Sequence, residues 1–475
     1  VSIMAELHDL TALELAEGIR RREISPVEVT EHYLDRISRW SDRYGAYVTV
    51  TADLARAQAH EAEQAVLRAA DPGELPPLHG VPVPVKDLTN VAGVPCRLGS
   101  AAFVDFVPHF DDHVVTRIRA SGAVLLGKTN TPEFGLSCYT ESDVAPPART
   151  PWDPTRSAGG SSGGAAAAVA AGLAPVAQGN DGGGSVRIPA SACGLVGLKP
   201  TRGRISNGPL AADYTGLVCH GPLARTVRDA AALLDVMAGP MPGDPYWAPP
   251  CGSFLAAAGR EPGRLRIGRF CTPVVAPTEL HPACLRAYEA ASELLAELGH
   301  EVEDCAPPFG PEVVGQFETV WAVGAALVPV ETDRESQLLP LTRWLRDRGR
   351  KASGVEYGLA LGEMQRAARR WLVESRSYDA ILTPTLAQPP VGVGELRDDA
   401  DPARDFENQK RFTPFTSVYN VTGQPAITLP LHWSEEGLPI GVMLAGRPAE
   451  EELLLSLAAQ LEAARPWHTR KPACW

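Results

Sequence analysis

The chain has 475 residues, 44% of them apolar and 21% charged, close to the globular average, so it can bury a sizeable core and is not a disordered chain. A formal net charge of -13 argues against phosphate-backbone binding, which needs a basic face, and sets nucleic acid aside as a partner. The nine cysteines include no C-x-x-C pair and accompany no ligand-spaced histidines; they predict neither a metal site nor a disulfide framework and suit a reducing, cytoplasmic setting.

In chain order, Val1 to Asp9 carries no basic stretch followed by an apolar run, so no leader is predicted. Thr11-Ala12-Leu13-Glu14 and Ser25-Pro26-Val27-Glu28 then each open a helix with the capping-box pattern, in which a hydroxyl and a carboxylate satisfy free backbone donors. Pro26 falls on the first helical position, which tolerates proline. Val29, Tyr33, Ile37 and Trp40 recur at helical spacing, and Leu54 to Ala70 reads as a third helix. Residues 1–70 are therefore expected as an N-terminal helical layer packed on a larger core.

From Gly80 the texture changes. Val81-Pro-Val-Pro-Val85 and Ala123-Val-Leu-Leu-Gly127 read as buried strands, with Asp112 to Ser121 at helical spacing between them, an alternation that predicts an α/β sheet flanked by helices. Further strands are expected over Leu265 to Phe270, Glu301 to Asp304, Ala380 to Pro384, Ala426 to Pro430 and Pro439 to Leu444. Helices are expected over Val227 to Ala238, Pro282 to Leu298 and Glu450 to Ala464. Ala165 to Ala177 is too short and too alanine-rich to span a bilayer. No tandem repeat or low-complexity linker divides the chain, so residues 71–475 are expected as one compact unit with a variable helical insertion over 311–372.

The chemistry concentrates between Lys86 and Pro200. Ser157-Ala-Gly-Gly-Ser-Ser-Gly-Gly164 runs straight into an alanine-rich helix, which places Ser161 and Ser162 near a helix N-terminus, where exposed N–H groups favour a developing anion. The Gly-Lys-Ser/Thr ending of a phosphate-binding loop is missing. A second cluster, Gly179-Asn-Asp-Gly-Gly-Gly-Ser185, sets three glycines ahead of a serine, so that several amides can converge on one point as an oxyanion hole. A serine hydroxyl needs a base, and no histidine accompanies either loop. Lys86, at the end of an apolar strand, can serve if burial removes its charge. Taken alone, Lys86 reads as a surface lysine and Ser185 as a turn hydroxyl.

Together these residues resemble the amidase signature family. The resemblance rests on Gly159-Gly-Ser-Ser-Gly-Gly164, Asp181-x-Gly-Gly-Ser-x-Arg-x-Pro189 and Cys193-Gly-Leu-Val-Gly-Leu-Lys-Pro-Thr201, with Ser161 standing 24 residues before Ser185 as in that family. Gly80-Val-Pro-x-x-Val-Lys-Asp87, Gly127-Lys-Thr-Asn130, Gly221-Pro-Leu-Ala-Arg225, Asn420-x-Thr-Gly-x-Pro-Ala426 and Gly437-Leu-Pro-Ile-Gly-Val442 extend it over nearly the whole chain. It implies a large mixed twisted sheet with helices on both faces, and an amide hydrolase without cofactor or metal. It also implies Ser185 as nucleophile, Lys86 as general base and acid, and Ser161 as the bridging hydroxyl, preceded by a cis peptide at Gly160. The amides of Gly182, Gly183, Gly184 and Ser185 would receive the oxyanion, and Gly135, Leu136, Ser137, Cys138 and Tyr139 lie where the family builds its acyl-side wall.

Where most members have Gly-Thr-Asp-Thr/Ile-Gly-Gly-Ser, this chain has Asn180 and an extra glycine at Gly182, a change expected to bear on the width of the pocket. Met443 replaces a usual glutamine. The Asn-Asp form resembles the branch that contains 6-aminohexanoate cyclic-dimer hydrolase. Three classes follow: a stand-alone hydrolase of a small or medium amide, the A subunit of a glutamine-dependent aminoacyl-tRNA amidotransferase, or a catalytically silent binding protein on the same scaffold. Leu136-Ser-Cys-Tyr-Thr-Glu-Ser142 lacks the Gly-Ser-Ser-Thr-Glu look of the second, and the filled triad positions speak against the third. The implied partner is a small-molecule amide, with no nucleic acid and no membrane, and with the oligomeric state open to a homodimer. His220, Cys138 and Cys219, though near the motifs, read as packing residues.

Overall fold

A computed structural model describes residues 6–211 and 214–475; residues 1–5, the start of the segment read for a leader and for the helical layer, lie outside them. Thr11 accepts the Glu14 amide while the Glu14 carboxylate accepts the Thr11 amide, which closes the expected box at the start of the helix Ala12–Arg20. At the helix Pro26–Tyr44 the cap is simpler than predicted, because Ser25 accepts from Val27 and gives its own proton to Glu63 instead of pairing with Glu28. Both devices satisfy amides that would otherwise have no partner in the first turn.

Where the sequence predicts only helices, the N-terminal segment also supplies a strand. Gly45, at φ 57°, ends the second helix in the left-handed conformation and turns the chain into Tyr47–Val50, whose aromatic and β-branched residues suit a sheet edge. The helix Ala52–Arg68 follows.

Among the described residues, eleven strands form one mixed sheet: β1 (Tyr47–Val50), β2 (Val85–Lys86), β3 (Gly127–Thr129), β4 (Val176–Asp181), β5 (Val196–Lys199), β6 (Cys219–Ala224), β7 (Arg266–Arg269), β8 (Glu301–Asp304), β9 (Ala380–Pro384), β10 (Ala426–Trp433) and β11 (Pro439–Gly446). Their spatial order is β1-β3-β2-β4-β6-β5-β10-β11-β9-β7-β8. Parallel pairs flank β2 and β7, and antiparallel pairs fill the centre. The early strands are shorter than predicted. Pro82 and Pro84 carry no N–H, so Val81 to Val85 bonds its neighbours only intermittently before β2 begins at Val85.

The predicted insertion is helical, with Pro311–Leu327, Pro340–Lys351 and Gly354–Glu374 as its main helices. Among the described residues, no helix is long and apolar enough to cross a membrane.

The helix Gly163–Ala170 is buried along its whole length, which its alanines permit because they need little room on any side. Its first turn touches backbone directly. The Gly164 amide donates to Asn130 O at 3.1 Å, and a Cβ at Gly164 would stand 2.3 Å from Asn130 N and 2.5 Å from Ala46 O. Gly164→Ala is therefore expected to cost about 1–3 kcal/mol through overpacking, measured by chemical denaturation. Unchanged stability would contradict this close approach.

Candidate active site

Two strand ends and one helix start meet at the carboxyl edge of β2 and β4. Lys86 closes β2 between β3 and β4, its amide donating to Gln178 Oε1 at 2.9 Å, so its side chain leaves a well-fixed backbone. The amine is fully buried and lies 2.6 Å from Ser161 Oγ and 2.6 Å from Asn180 Oδ1. Burial pushes it well below the ordinary lysine range, against the opposing pull of the Asp181 charge.

Ser161 precedes the N-terminus of Gly163–Ala170, and the Gly160–Ser161 peptide bond is cis. The next residue ties the two serine loops together: the Ser162 amide donates to Ser185 O at 3.0 Å, and its hydroxyl to Asn180 O at 3.1 Å. Ser185 follows the glycine turn after β4 and remains 7% exposed, enough to face a cleft.

That turn is folded around a carboxylate. Asp181, fully buried, accepts the amides of Gly184 at 2.8 Å and Val186 at 3.2 Å, and a fork of Arg187 Nε and Nη2, both at 2.9 Å. Burial alone would raise its pKa, but the Arg187 charge and hydrogen bonds, with help from Asn420, hold it below the usual carboxylate range. Arg187 spends its remaining N–H groups on Thr416 O and Asn420 Oδ1, each at 2.7 Å, and on Met443 Sδ at 3.3 Å. Two consequences follow for the expected oxyanion donors. The Gly184 amide points at Asp181 and is not available to a substrate, whereas among the described residues the amides of Gly182, Gly183 and Ser185 donate to no protein group.

A cleft of about 70 Å³, open to solvent on one side, lies beyond Ser185. Leu136, Ser137 and Cys138 line it together with Gly183, Ile188 and Gln409. Tyr139 departs from the expectation: its ring is buried and its hydroxyl donates to Asp405 Oδ2 at 2.6 Å, so it props the wall from behind. Gly135 sits against Ser161, with the place of its missing Cβ 3.2 Å from Ser161 Oγ. The Cys138 thiol is pushed up by burial and then by Asp405, which makes it an inert packing group. Burial lowers the His220 pKa to about 4, and its Nδ1 meets Gln178 Nε2 at 2.9 Å.

The insertion completes the opposite wall, a contribution that pattern alone did not reveal. Phe317 and Trp321 stack with centroids 5.4 Å apart, and Glu318 pairs with Lys410 at 2.8 Å on the rim. Trp321 explains the extra glycine: a Cβ at Gly182 would stand 3.2 Å from its Cζ3 and 3.3 Å from Val218 Cγ2. The glycine leaves room for the indole, and the indole then sets the width that the sequence left open.

Among the described residues, one cluster brings metal-ligating types together: Glu6, His8 and His32. His8 Nδ1 and His32 Nε2 are 3.0 Å apart while the ring centroids are 5.1 Å apart with planes 16° from parallel. The centroid separation exceeds the nitrogen separation by about two ring radii, so the lone-pair directions face each other head-on. That is hydrogen-bond geometry, whereas a metal needs the lone pairs to converge on it from different directions.

Asp181→Asn removes the charge that compensates Arg187 without changing shape. It is expected to destabilise the fold by roughly 3–5 kcal/mol, measured by denaturation, because a buried guanidinium is left without its counter-ion. A loss below about 1 kcal/mol, the range of an exposed pair, would contradict that role.

The geometry can be set beside known proteins. Residues 28–455 match the family model described as Amidase. A putative amidase of Synechocystis is 38% identical over 95% of this chain and 88% of its own length. The 6-aminohexanoate-cyclic-dimer hydrolase of Paenarthrobacter ureafaciens is 38% identical, over 96% of this chain and 95% of its own. A solved structure of 6-aminohexanoate cyclic dimer hydrolase complexed with substrate superposes with a TM-score of 0.90 at 35% identity, covering 99% of this chain and all of the other. These relatives are amide-hydrolysing enzymes, and the mixed sheet with flanking helices is theirs as well. The chain belongs to the amidase signature family.

Proposed function

We propose that this amidase hydrolyses the C–N bond of a small or medium-sized amide, linear or cyclic, through an acyl-enzyme on Ser185. The observation that carries the reading is a fully buried lysine amine 2.6 Å from a serine hydroxyl, in contact with no free carboxylate. Burial favours the uncharged form of such an amine, and the uncharged form can accept a proton.

Ser185 Oγ attacks the carbonyl carbon while its proton moves to Ser161, whose own proton moves to Lys86 Nζ. The carbonyl oxygen takes the negative charge and lies against the amides of Gly182, Gly183 and Ser185, with Gly184 holding the turn through Asp181. As the tetrahedral intermediate collapses, the C–N bond breaks and the Lys86 proton returns through Ser161 to the leaving nitrogen. Water then attacks the ester carbon, the same relay takes its proton, and Ser185 regains it as the acid leaves. The half-enclosed, mostly apolar cleft supports a substrate of modest size, and the nine cysteines without paired spacing suit a cytoplasmic setting. The reading further takes residues 71–475 as one catalytic unit with the N-terminal layer packed on it.

A fluorophosphonate probe is expected to label Ser185 and to fail with Ser185→Ala. Lys86→Met, which keeps the volume but loses the base, should lower kcat by about a thousandfold or more with the fold intact by thermal melt. Labelling that survives Ser185→Ala would move the nucleophile elsewhere.

The pH dependence follows from the sign of the lysine shift. The base works unprotonated, so kcat/KM falls as pH drops through the Lys86 pKa, and burial places that limb below the 10.5 of a free lysine. A limb at that value, or a profile flat from about pH 5 to about pH 9, would contradict the relay.

A further inference from the structure

We infer that Asn180 is a positioning residue, which takes both N–H groups of the neutral Lys86 amine and so aims its lone pair at Ser161. The inference rests on the relay proposed above and adds a residue to it.

A neutral primary amine has two N–H groups and one lone pair, and as a base it must point the lone pair at the hydroxyl it deprotonates. Lys86 Nζ has three oxygen neighbours: Ser161 Oγ at 2.6 Å, Asn180 Oδ1 at 2.6 Å and Asn180 O at 3.5 Å. The two Asn180 oxygens are carbonyls, which can only accept, so each is a place for an N–H. The hydroxyl alone can both give and receive. With the N–H groups drawn to Asn180, the remaining direction on nitrogen faces Ser161. One residue thus settles the rotation of the amine about its Cε–Nζ bond.

Its neutrality matters equally. Asn180 has the shape of an aspartate without the charge, so it orients the amine without providing a counter-ion that would keep it protonated. The other charged or titratable groups around Lys86 are already engaged. Asp181 is bound by Arg187, Asp87 pairs with Lys128 at 2.9 Å, and His220 meets Gln178. The backbone of Asn180 is fixed independently by its pairing with His220 across β4 and β6 and by the Ser162 hydroxyl, so the side chain can be changed without dissolving the turn.

Two variants of similar volume separate aim from charge. Asn180→Leu removes the side-chain acceptor; kcat is expected to fall about tenfold or more with KM within about twofold. Asn180→Asp keeps the acceptor and adds a charge; the limb of kcat/KM is expected to move up by about one pH unit or more. A merely structural asparagine would move neither the limb nor kcat at constant KM. An unmoved limb in Asn180→Asp or an unchanged kcat in Asn180→Leu overturns the inference. If Asn180→Leu melts at a much lower temperature, the limb of Asn180→Asp, an isosteric change, decides alone. Turnover that persists in Lys86→Met or Ser185→Ala would sink the relay itself, whatever the Asn180 variants do.

Discussion

The site depends on an amine that has been taken out of water and given no counter-ion. A charged ammonium in that position would forfeit its hydration, and the carboxylate that could compensate, Asp181, is bound by an arginine fork. Burial therefore favours loss of the proton, which is the state the proposed base requires. The glycine turn, the serine loop before the alanine helix and the short β2 strand all serve to hold this nitrogen dry and beside Ser161.

The Asp181–Arg187 pair does a second task. Its carboxylate gathers the Gly184 and Val186 amides, which bends the chain so that neighbouring amides are left unspent beside Ser185. A buried ion pair is a poor source of net stability, but it fixes a shape, and here the shape is the turn that bears Ser185. The central motifs therefore supply the chemistry. The helical insertion supplies the wall: Trp321 fills the space left by Gly182, and Phe317 stacks behind it. Variation in that insertion can change what fits without disturbing the relay.

Much of this was legible in the sequence, for identifiable reasons. Gly/Ser clusters announce backbone that must turn tightly, so Ser161 and Ser185 stood out, and an apolar strand ending in Lys86 suggested a buried amine. The strands Glu301–Asp304 and Ala380–Pro384 match the predicted bounds because turn residues flank them. Other features depend on directions that sequence does not encode. Whether the Gly184 amide faces substrate or Asp181 is decided by a carboxylate rotamer, and whether Tyr139 lines the cleft or props it is decided by Asp405, 266 residues away. Strand β1 was hidden because four residues between two strong helices carry little pattern of their own. The fit of Trp321 to Gly182 joins distant segments and could be seen only once both were in place.

The most direct test is the protonation state of Lys86 itself. In protein labelled with 15N at lysine Nζ, with the signal assigned by its loss in Lys86→Met, the account predicts a neutral-amine shift at neutral pH and a titration below 10.5. An ammonium signal that persists to that value would show the amine charged throughout the working range, and the proton relay built on it would be wrong.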